Sequence, residues 1–167
     1  MKLIMELDEL KKRFIEKKNI IPFAIIFLIF ICDRIFKIVI IDNFSDNSYF
    51  INEIVNFNLI WNTGVGFGLL SSESSFFYNS ITILIFLIVL VLFYALIVSK
   101  NSEKKIYAII IGGAIGNLYD RFYYNAVPDF IDLHYNSYHW FTFNIADIFI
   151  TLGIILFVIN DFFIKTN

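Results

Sequence analysis

Carboxylates beside long apolar stretches are the residues whose types and positions point most directly to chemistry. Asp147 is followed at once by three apolar residues, so the sequence places it at membrane depth, where an ionisable group needs a partner. If Asp147 begins a helix, the favourable helix dipole at that end is one way to stabilise its charge. A second carboxylate across the bundle is the other. Asp129 is the candidate for this second carboxylate. It follows the apolar stretch that ends near Phe122, and the sequence places it on the same side of the membrane as Asp147.

Two neighbouring carboxyl groups can carry out acid–base chemistry at one centre. Both cannot ionise cheaply, so they share a single proton. One carboxylate then takes a proton from water, while the other protonates or stabilises the carbonyl oxygen under attack. The residue pattern alone leaves Asp120 and Asp132 open as alternative members of such a pair.

Motifs for other kinds of site are missing from the sequence. His134 and His139 are its two histidines and form no HExxH motif. Cys32 is the single cysteine, which excludes an internal disulfide and a cysteine metal cluster. The chain also has neither a GxSxG nucleophile elbow nor a phosphate-binding loop. We therefore expect no metal and no organic cofactor.

The composition indicates a membrane protein. Hydrophobic residues make up 59% of the chain and charged residues 17%, whereas soluble domains are closer to half apolar and a quarter charged. Residues 76–98 form an uncharged apolar stretch, and about 20 helical residues cross a bilayer core. The net charge of −2 gives no sign of a nucleic-acid partner.

Four apolar stretches predict four transmembrane helices. Their approximate limits are Ile20 to Ile41, Ser75 to Val98, Ile106 to Phe122, and Ile145 to Phe163. A short turn from Lys100 to Lys105 is expected between the second and third helices, and outer loops are expected at about 42–74 and 123–144. Residues 1–19 are predicted to be a cytoplasmic amphipathic or flexible segment before a membrane domain at 20–167.

The placement of Lys and Arg predicts the orientation. Three of the 13 cations lie within or at the ends of spans, and neither long loop contains one. The others flank the spans on one side: Lys2, Lys11, Lys12, Arg13, Lys17, Lys18, Lys100, Lys104, Lys105 and Lys165. Because loops rich in Lys and Arg stay in the cytoplasm, both termini are predicted to be cytoplasmic and both long loops to face outward.

Ionisable residues inside the predicted spans need a physical reason. Asp33 and Lys37 share a helix face at i and i+4, so they can form a local ion pair or help to shape a polar site. Asn117 likewise shares a face with Asp120 and Arg121 at the end of the third span. We expect Asp120 and Arg121 to pair with groups on other helices.

Two further patterns concern packing and the outer loops. Ala108, Gly112 and Gly116 recur at four-residue spacing, which favours close helix packing. Alternating apolar residues at 54–60 predict a strand, and residues 62–68 are rich in glycine. A small sheet with an exposed edge could receive an extended peptide by strand addition. A plain turn explains the glycines equally well.

Five sequence blocks, in this order, resemble those of the lipoprotein signal peptidases, the signal peptidase II family. The blocks are Asp33–Lys37, Asn62–Gly64 with Phe67, Gly112–Arg121, Val127–Ile131 and Phe143–Asp147. The third and fifth blocks are the most specific. The resemblance extends from about Ile20 to the C-terminus.

The resemblance implies an aspartyl endopeptidase without metal or organic cofactor, with Asp129 and Asp147 as the catalytic pair. The implied fold is an all-α membrane protein with four transmembrane helices and a small extracytoplasmic β-cradle. The implied substrate is a diacylglyceryl-modified prolipoprotein, cleaved just before its lipidated cysteine. Substrate-binding or supporting roles are implied for Asn62, Gly64, Asn117, Arg121, Asn144, Asp33, Lys37 and Asp120.

The same resemblance implies a monomer in the bacterial cytoplasmic membrane, in contact with lipids and not with nucleic acid. Two other functions fit intramembrane carboxylates: a small transporter or proton-coupled carrier, and a structural helper subunit with buried ion pairs. A relay would need polar residues at depth on both sides of the bilayer. Here they gather in the outer half, which favours a one-sided site.

Overall fold

A computed structural model of the chain describes residues 9–10, 12–44, 48–64, 75–136 and 138–164. Four long helices account for most of them. The helices are α1 (Ile20–Phe44), α2 (Ser75–Val98), α3 (Asn101–Tyr124) and α4 (Ile145–Ile159). A 3-10 turn precedes α1, and a π-helical turn, Asn160–Ile164, continues α4. The four predicted helices are therefore present.

The connection between α2 and α3 is shorter than the sequence suggested. The predicted turn from Lys100 to Lys105 is wrong, because α3 already begins at Asn101. Lys104 is fully buried, and its Nζ donates to the carbonyl oxygens of Leu96 at 2.6 Å and Ile97 at 2.9 Å. These carbonyls lie in the last turn of α2, where no intrahelical donor is available. A lysine that the charge pattern assigned to a loop instead caps a helix.

Two of the helices are long and apolar enough to span a membrane by length and composition. They are Phe76–Val98, with a mean hydropathy of 3.3, and Ile145–Phe162, with a mean hydropathy of 2.1. Helices α1 and α3 fall short of this criterion because polar and ionisable residues interrupt them. Length and composition thus support two spans within the described residues, and the predicted four are not established by this criterion.

A four-stranded antiparallel sheet joins the helices at one end. Its strands, in spatial order, are β1 (Tyr49–Phe50), β2 (Val55–Asn62), β3 (Val127–Tyr135) and β4 (Tyr138–Phe143). The strand predicted at 54–60 is confirmed as β2. The register places Asp129 opposite Ile60 and ends β4 immediately before α4. The glycine-rich segment from residue 65 onward lies outside the described residues.

Helix α3 packs against each of the other three helices. A Cβ atom at Gly112 would lie 2.8 Å from Ile29 Cβ, and one at Gly116 would lie 2.6 Å from Asp33 Oδ2. Only glycine permits this approach to α1. The predicted packing role of the small residues is confirmed. The apolar core lies where α1, α2 and α3 meet, at Ile26, Leu96, Ile97, Ala108 and Ile111.

Candidate active site

Asp129 and Asp147 line the same cavity. Asp129 lies on β3 and is 2% exposed, whereas Asp147 lies in the first turn of α4 and is partly buried. The cavity has a volume of about 300 Å³ and is bounded by the sheet and by α2, α3 and α4. Apolar residues such as Ile85 and Ile154 form much of the remaining wall. The fold thus brings together the two carboxylates that the sequence singled out.

Asn144 links the two carboxylates. Its side-chain Nδ2 donates to Asp129 Oδ1 at 2.6 Å, and its backbone N–H donates to Asp147 Oδ2 at 3.1 Å. Its Oδ1 in turn accepts from the backbone N–H of Asp147, so the two residues form a capping box at the start of α4. An asparagine and an aspartate three residues apart therefore start the helix and also orient the candidate pair.

Two further asparagines donate to the remaining carboxylate oxygens. Asn62 Nδ2 donates to Asp129 Oδ2 at 2.8 Å, and Asn117 Nδ2 donates to Asp147 Oδ1 at 2.8 Å. Each of the four carboxylate oxygens accordingly accepts a hydrogen bond from an asparagine. These donors come from β2, α3 and the β4–α4 junction, so formation of the site requires the sheet to assemble with α3 and α4.

The environment of Asp129 changes its acidity. Burial, and to a smaller extent the nearby charge of Asp147, raise the pKa of Asp129 to about 7. The hydrogen bonds from Asn62 and Asn144 and the charge of Lys37 act in the opposite direction. A carboxyl with a pKa near neutrality can both hold and release a proton under physiological conditions, as acid–base catalysis requires.

A cluster of two acids and two bases lies beside this pair, between α1 and α3. Lys37 Nζ lies 3.0 Å from Asp33 Oδ2 and 2.6 Å from Asp120 Oδ2. Arg34 lies 3.0 Å from Asp33 and 2.5 Å from Asp120. The i, i+4 pair is thus confirmed, as is the pairing of Asp120 with another helix. We call Asp33, Arg34, Lys37 and Asp120 the ion cluster.

The ion cluster is buried, electrically balanced and tied to the helix that carries Asp147. Asp33, Lys37 and Asp120 are fully buried, and Arg34 is 8% exposed. Asp33 Oδ1 also accepts from the backbone N–H of Ala146, at 3.0 Å. Arg34 was not among the predicted site residues. Its position next to Asp33 on a predicted membrane helix was the signal that could have identified it.

Arg121 and Gly64 connect α3 to the segment after β2. An Nη2 hydrogen of Arg121 is donated to the Gly64 carbonyl, and the Gly64 N–H donates to Asn62 Oδ1 at 2.8 Å. The Arg121 guanidinium also lies 5.4 Å from the centre of the Tyr78 ring on α2. Its Nη1 atom is buried without a hydrogen-bond partner among the described residues, and Arg121 lines the cavity. It therefore contacts other elements without forming an ion pair in this part of the chain.

Asp132 lies on the same strand as Asp129 but contacts His139 and not the candidate pair. His139 Nδ1 lies 2.7 Å from Asp132 Oδ2, and the His134 ring stacks on His139 with centroids 5.4 Å apart. Asp132 and Asp120, the two alternatives left open by the sequence, are thus each bound to a basic side chain. In the part of the chain that the structure describes, no three His, Cys, Asp or Glu residues are arranged to hold a metal ion.

The chain is similar to known proteins along most of its length. The sequence model of signal peptidase (SPase) II matches residues 25–163. The chain belongs to the signal peptidase II family. The lipoprotein signal peptidase of Pelagibacter ubique is 45% identical over 150 residues, which cover 86% of this chain and 90% of that protein. The lipoprotein signal peptidase of Anaplasma phagocytophilum is 35% identical over 147 residues, covering 85% and 92%.

The fold of this signal peptidase II family member is also similar to solved structures of bacterial membrane enzymes. One, determined by the in meso method at 2.3 Å resolution, has a TM-score of 0.69 at 30% identity and covers 83% of this chain and 85% of that one. Another, at 1.9 Å resolution, has a TM-score of 0.70 at 28% identity, covering 85% and 92%. Family and fold together identify a bacterial membrane protein.

Proposed function

We propose that this signal peptidase II family member is an intramembrane aspartyl endopeptidase. Its substrate would be a diacylglyceryl-modified prolipoprotein, cut just before the lipidated cysteine. The observation that carries the proposal is that Asp129 and Asp147 line one cavity and are both hydrogen-bonded to Asn144. The names of the relatives, which are lipoprotein signal peptidases, support the substrate class.

The proposed reaction is direct attack of water on the amide carbonyl. Asp147, which accepts hydrogen bonds from Asn117 and Asn144, takes a proton from the water. Asp129, with its raised pKa, gives its proton to the carbonyl oxygen. The tetrahedral intermediate then collapses, the C–N bond breaks, and the proton on Asp147 passes to the leaving nitrogen as Asp129 regains its own. No covalent bond to the enzyme forms.

The asparagines that surround the pair have a supporting role in this proposal. Asn62 and Asn144 each donate to one oxygen of Asp129 and so hold its carboxyl group in the wall of the cavity. Asn62 also lines the cavity, so its amide can donate to the carbonyl oxygen as that oxygen develops charge. Arg121, with one buried N–H free of partners among the described residues, is a further donor that lines the cavity.

The proposed topology has all four helices crossing the bacterial cytoplasmic membrane, with residues 1–19 on the cytoplasmic side and the sheet outside. The balanced charge of the ion cluster reduces the cost of placing α1 and α3 in lipid. Exposed aromatic side chains on the sheet, including Trp61 and Trp140, suit the membrane interface. We propose a monomer, since the site is complete within one chain.

The apolar wall of the cavity offers a route for the substrate. A second, wholly apolar cavity of about 350 Å³ shares Ala114, Ile150 and Ile154 with the first. It continues between α2 and α4 along the floor formed by α3. We propose that the apolar parts of the substrate, its lipid chains and signal helix, reach the carboxylates from the membrane along this side.

A reconstitution assay separates this function from its two rivals. Purified protein in lipid vesicles should release the signal peptide from a diacylglyceryl-modified peptide and leave the unmodified peptide intact. A proton-coupled carrier would instead produce a proton flux without cleavage, and a helper subunit would do neither. Proton flux without cleavage would refute the proposed reaction. Equal cleavage of both peptides would refute the proposed substrate.

A further inference from the structure

The ammonium group of Lys37 has three acceptors and three hydrogens to donate. Its Nζ lies 3.0 Å from Asp33 Oδ2 and 2.6 Å from Asp120 Oδ2, and it donates to Asn117 Oδ1 at 2.8 Å. The side chain is fully buried, so water does not supply an alternative acceptor. Asn117 is therefore the third and last partner of a group that can only donate.

This contact determines which way the Asn117 amide points. An ammonium cannot accept a hydrogen bond, so the oxygen of the amide must face Lys37 and the nitrogen must face away. On the other side the amide nitrogen donates to Asp147 Oδ1 at 2.8 Å. If the amide were rotated by half a turn, its N–H groups would face the ammonium and its oxygen would face a carboxylate. Both contacts would become repulsive.

We propose that Lys37 is a positioning residue for the catalytic pair: by holding the oxygen of Asn117, it keeps the Asn117 N–H directed at Asp147. The inference rests on the proposed function of Asp129 and Asp147 and adds a role that the ion cluster alone does not require. Lys37 does not line the cavity and donates no hydrogen bond to Asp147. Apart from the effect of its charge on the two carboxyl groups, it therefore reaches the pair through the Asn117 amide.

Arg34 provides the comparison that separates positioning from stability. It carries the same charge, comes from the same helix and contacts the same two acids as Lys37. Its hydrogen bonds go to Asp33 and Asp120, and none of its described contacts reaches Asn117. Removing either cation should weaken the ion cluster. Removal of Lys37, but not of Arg34, should also leave the side-chain amide of Asn117 free to rotate.

The test compares two double variants of the full-length protein. Lys37→Met with Asp120→Asn and Arg34→Met with Asp120→Asn each remove one cation and one anion, so the cluster stays balanced and folding is spared. With a diacylglyceryl-modified peptide, the Lys37 pair should lose about 100-fold in kcat, the scale expected for a misplaced catalytic group, with little change in KM. The Arg34 pair should keep a much higher kcat at a similar Tm. Equal kcat values for the two pairs would overturn the inference.

A mutant cycle tests whether Lys37 acts through Asn117. Asn117→Ala removes the donor to Asp147, so adding Lys37→Met to it should cost no further kcat. If the two losses multiply, Lys37 acts independently of Asn117 and the positioning role is wrong. Lys37→Arg, whose side chain also only donates hydrogen bonds, should recover activity relative to Lys37→Met.

An Asp147→Asn variant measured in parallel checks the proposed function separately. Turnover by Asp147→Asn would overturn both proposals. Normal kcat in the single variant Lys37→Met would overturn only the positioning role of Lys37.

Discussion

Asn144 donates its side-chain amide to Asp129 over 2.6 Å while its own position starts the helix that carries Asp147. One residue thus does two things that substitutions can separate. It caps α4, and it relates the two carboxylates to each other. The helix cannot shift without disturbing the contact to β3, so the relative position of the pair is part of the fold.

Substitutions at Asn144 should separate capping from catalysis. Serine also accepts hydrogen bonds at a helix N-cap, so Asn144→Ser should keep Tm near the wild-type value, whereas Asn144→Ala should cost about 1 kcal/mol. Both lose the amide donor to Asp129, and both should lose kcat in a peptide cleavage assay. Wild-type kcat in the serine variant would show that the bond to Asp129 is dispensable.

The buried carboxyl of Asp129 should make stability depend on pH in a defined direction. In the folded protein its pKa is about 7, whereas an aspartate in an unfolded chain titrates near 4. Between these values the folded state binds more protons, so this residue's contribution to the free energy of unfolding falls as the pH rises. Asp129→Asn should therefore raise Tm relative to wild type more at about pH 8 than at about pH 4. A difference that is the same at both pH values would contradict the raised pKa.

Lys104 should stabilise the α2–α3 connection without affecting the site at the other end of the bundle. Lys104→Met keeps the apolar stem but leaves the carbonyls of Leu96 and Ile97 without their donor. An unsatisfied buried acceptor costs about 1–3 kcal/mol, so Tm should fall while kcat at permissive temperature stays unchanged. The matched control is Lys105→Met, because Lys105 is exposed. Equal Tm values for the two variants would show that the carbonyl contacts contribute nothing.

The proposed topology can be tested with single cysteines. Cys32, the only native cysteine, is half-buried and can be replaced by alanine. In that background Glu53→Cys, before β2, should react with a membrane-impermeant maleimide added to intact cells, and Ser102→Cys, at the start of α3, should not. Both positions are exposed, so burial does not explain a difference. Labelling of Ser102→Cys but not of Glu53→Cys would show that the orientation is the opposite of the proposed one.

The length of the apolar stretches was sufficient to predict the four helices, and the alternation of apolar residues was sufficient to predict β2. Both signals follow directly from burying one type of surface along a regular element. Charge patterning was less reliable. It assigned Lys104 to a loop, since a lysine is expected in water, and the carbonyls that it caps become its neighbours only when α2 and α3 fold back on each other.

The candidate site was predictable to a different degree. Position and depth singled out Asp129 and Asp147 but could not exclude Asp120 or Asp132, whose partners are distant in sequence or on a neighbouring strand. Asp120 is bound by Arg34, 86 residues away, and Asp132 by His139 across the β3–β4 hairpin. The resemblance to a family identified the pair from short blocks. The contact from Lys37 to Asn117 depends on helix packing, which a single sequence does not specify.

In the proposed mechanism Asp129 and Asp147, and no other acids, carry the reaction. Cleavage of a diacylglyceryl-modified peptide should be measured for Asp129→Asn, for Asp147→Asn and, as matched control, for Asp132→Asn. Asp132 lies on the same strand as Asp129 and is equally buried, at 2% exposure. The first two variants should insert and fold but lose roughly 10⁴-fold in kcat, the scale for removing one member of a catalytic unit, while Asp132→Asn cleaves normally. Cleavage at the wild-type rate by either Asp129→Asn or Asp147→Asn would contradict the account.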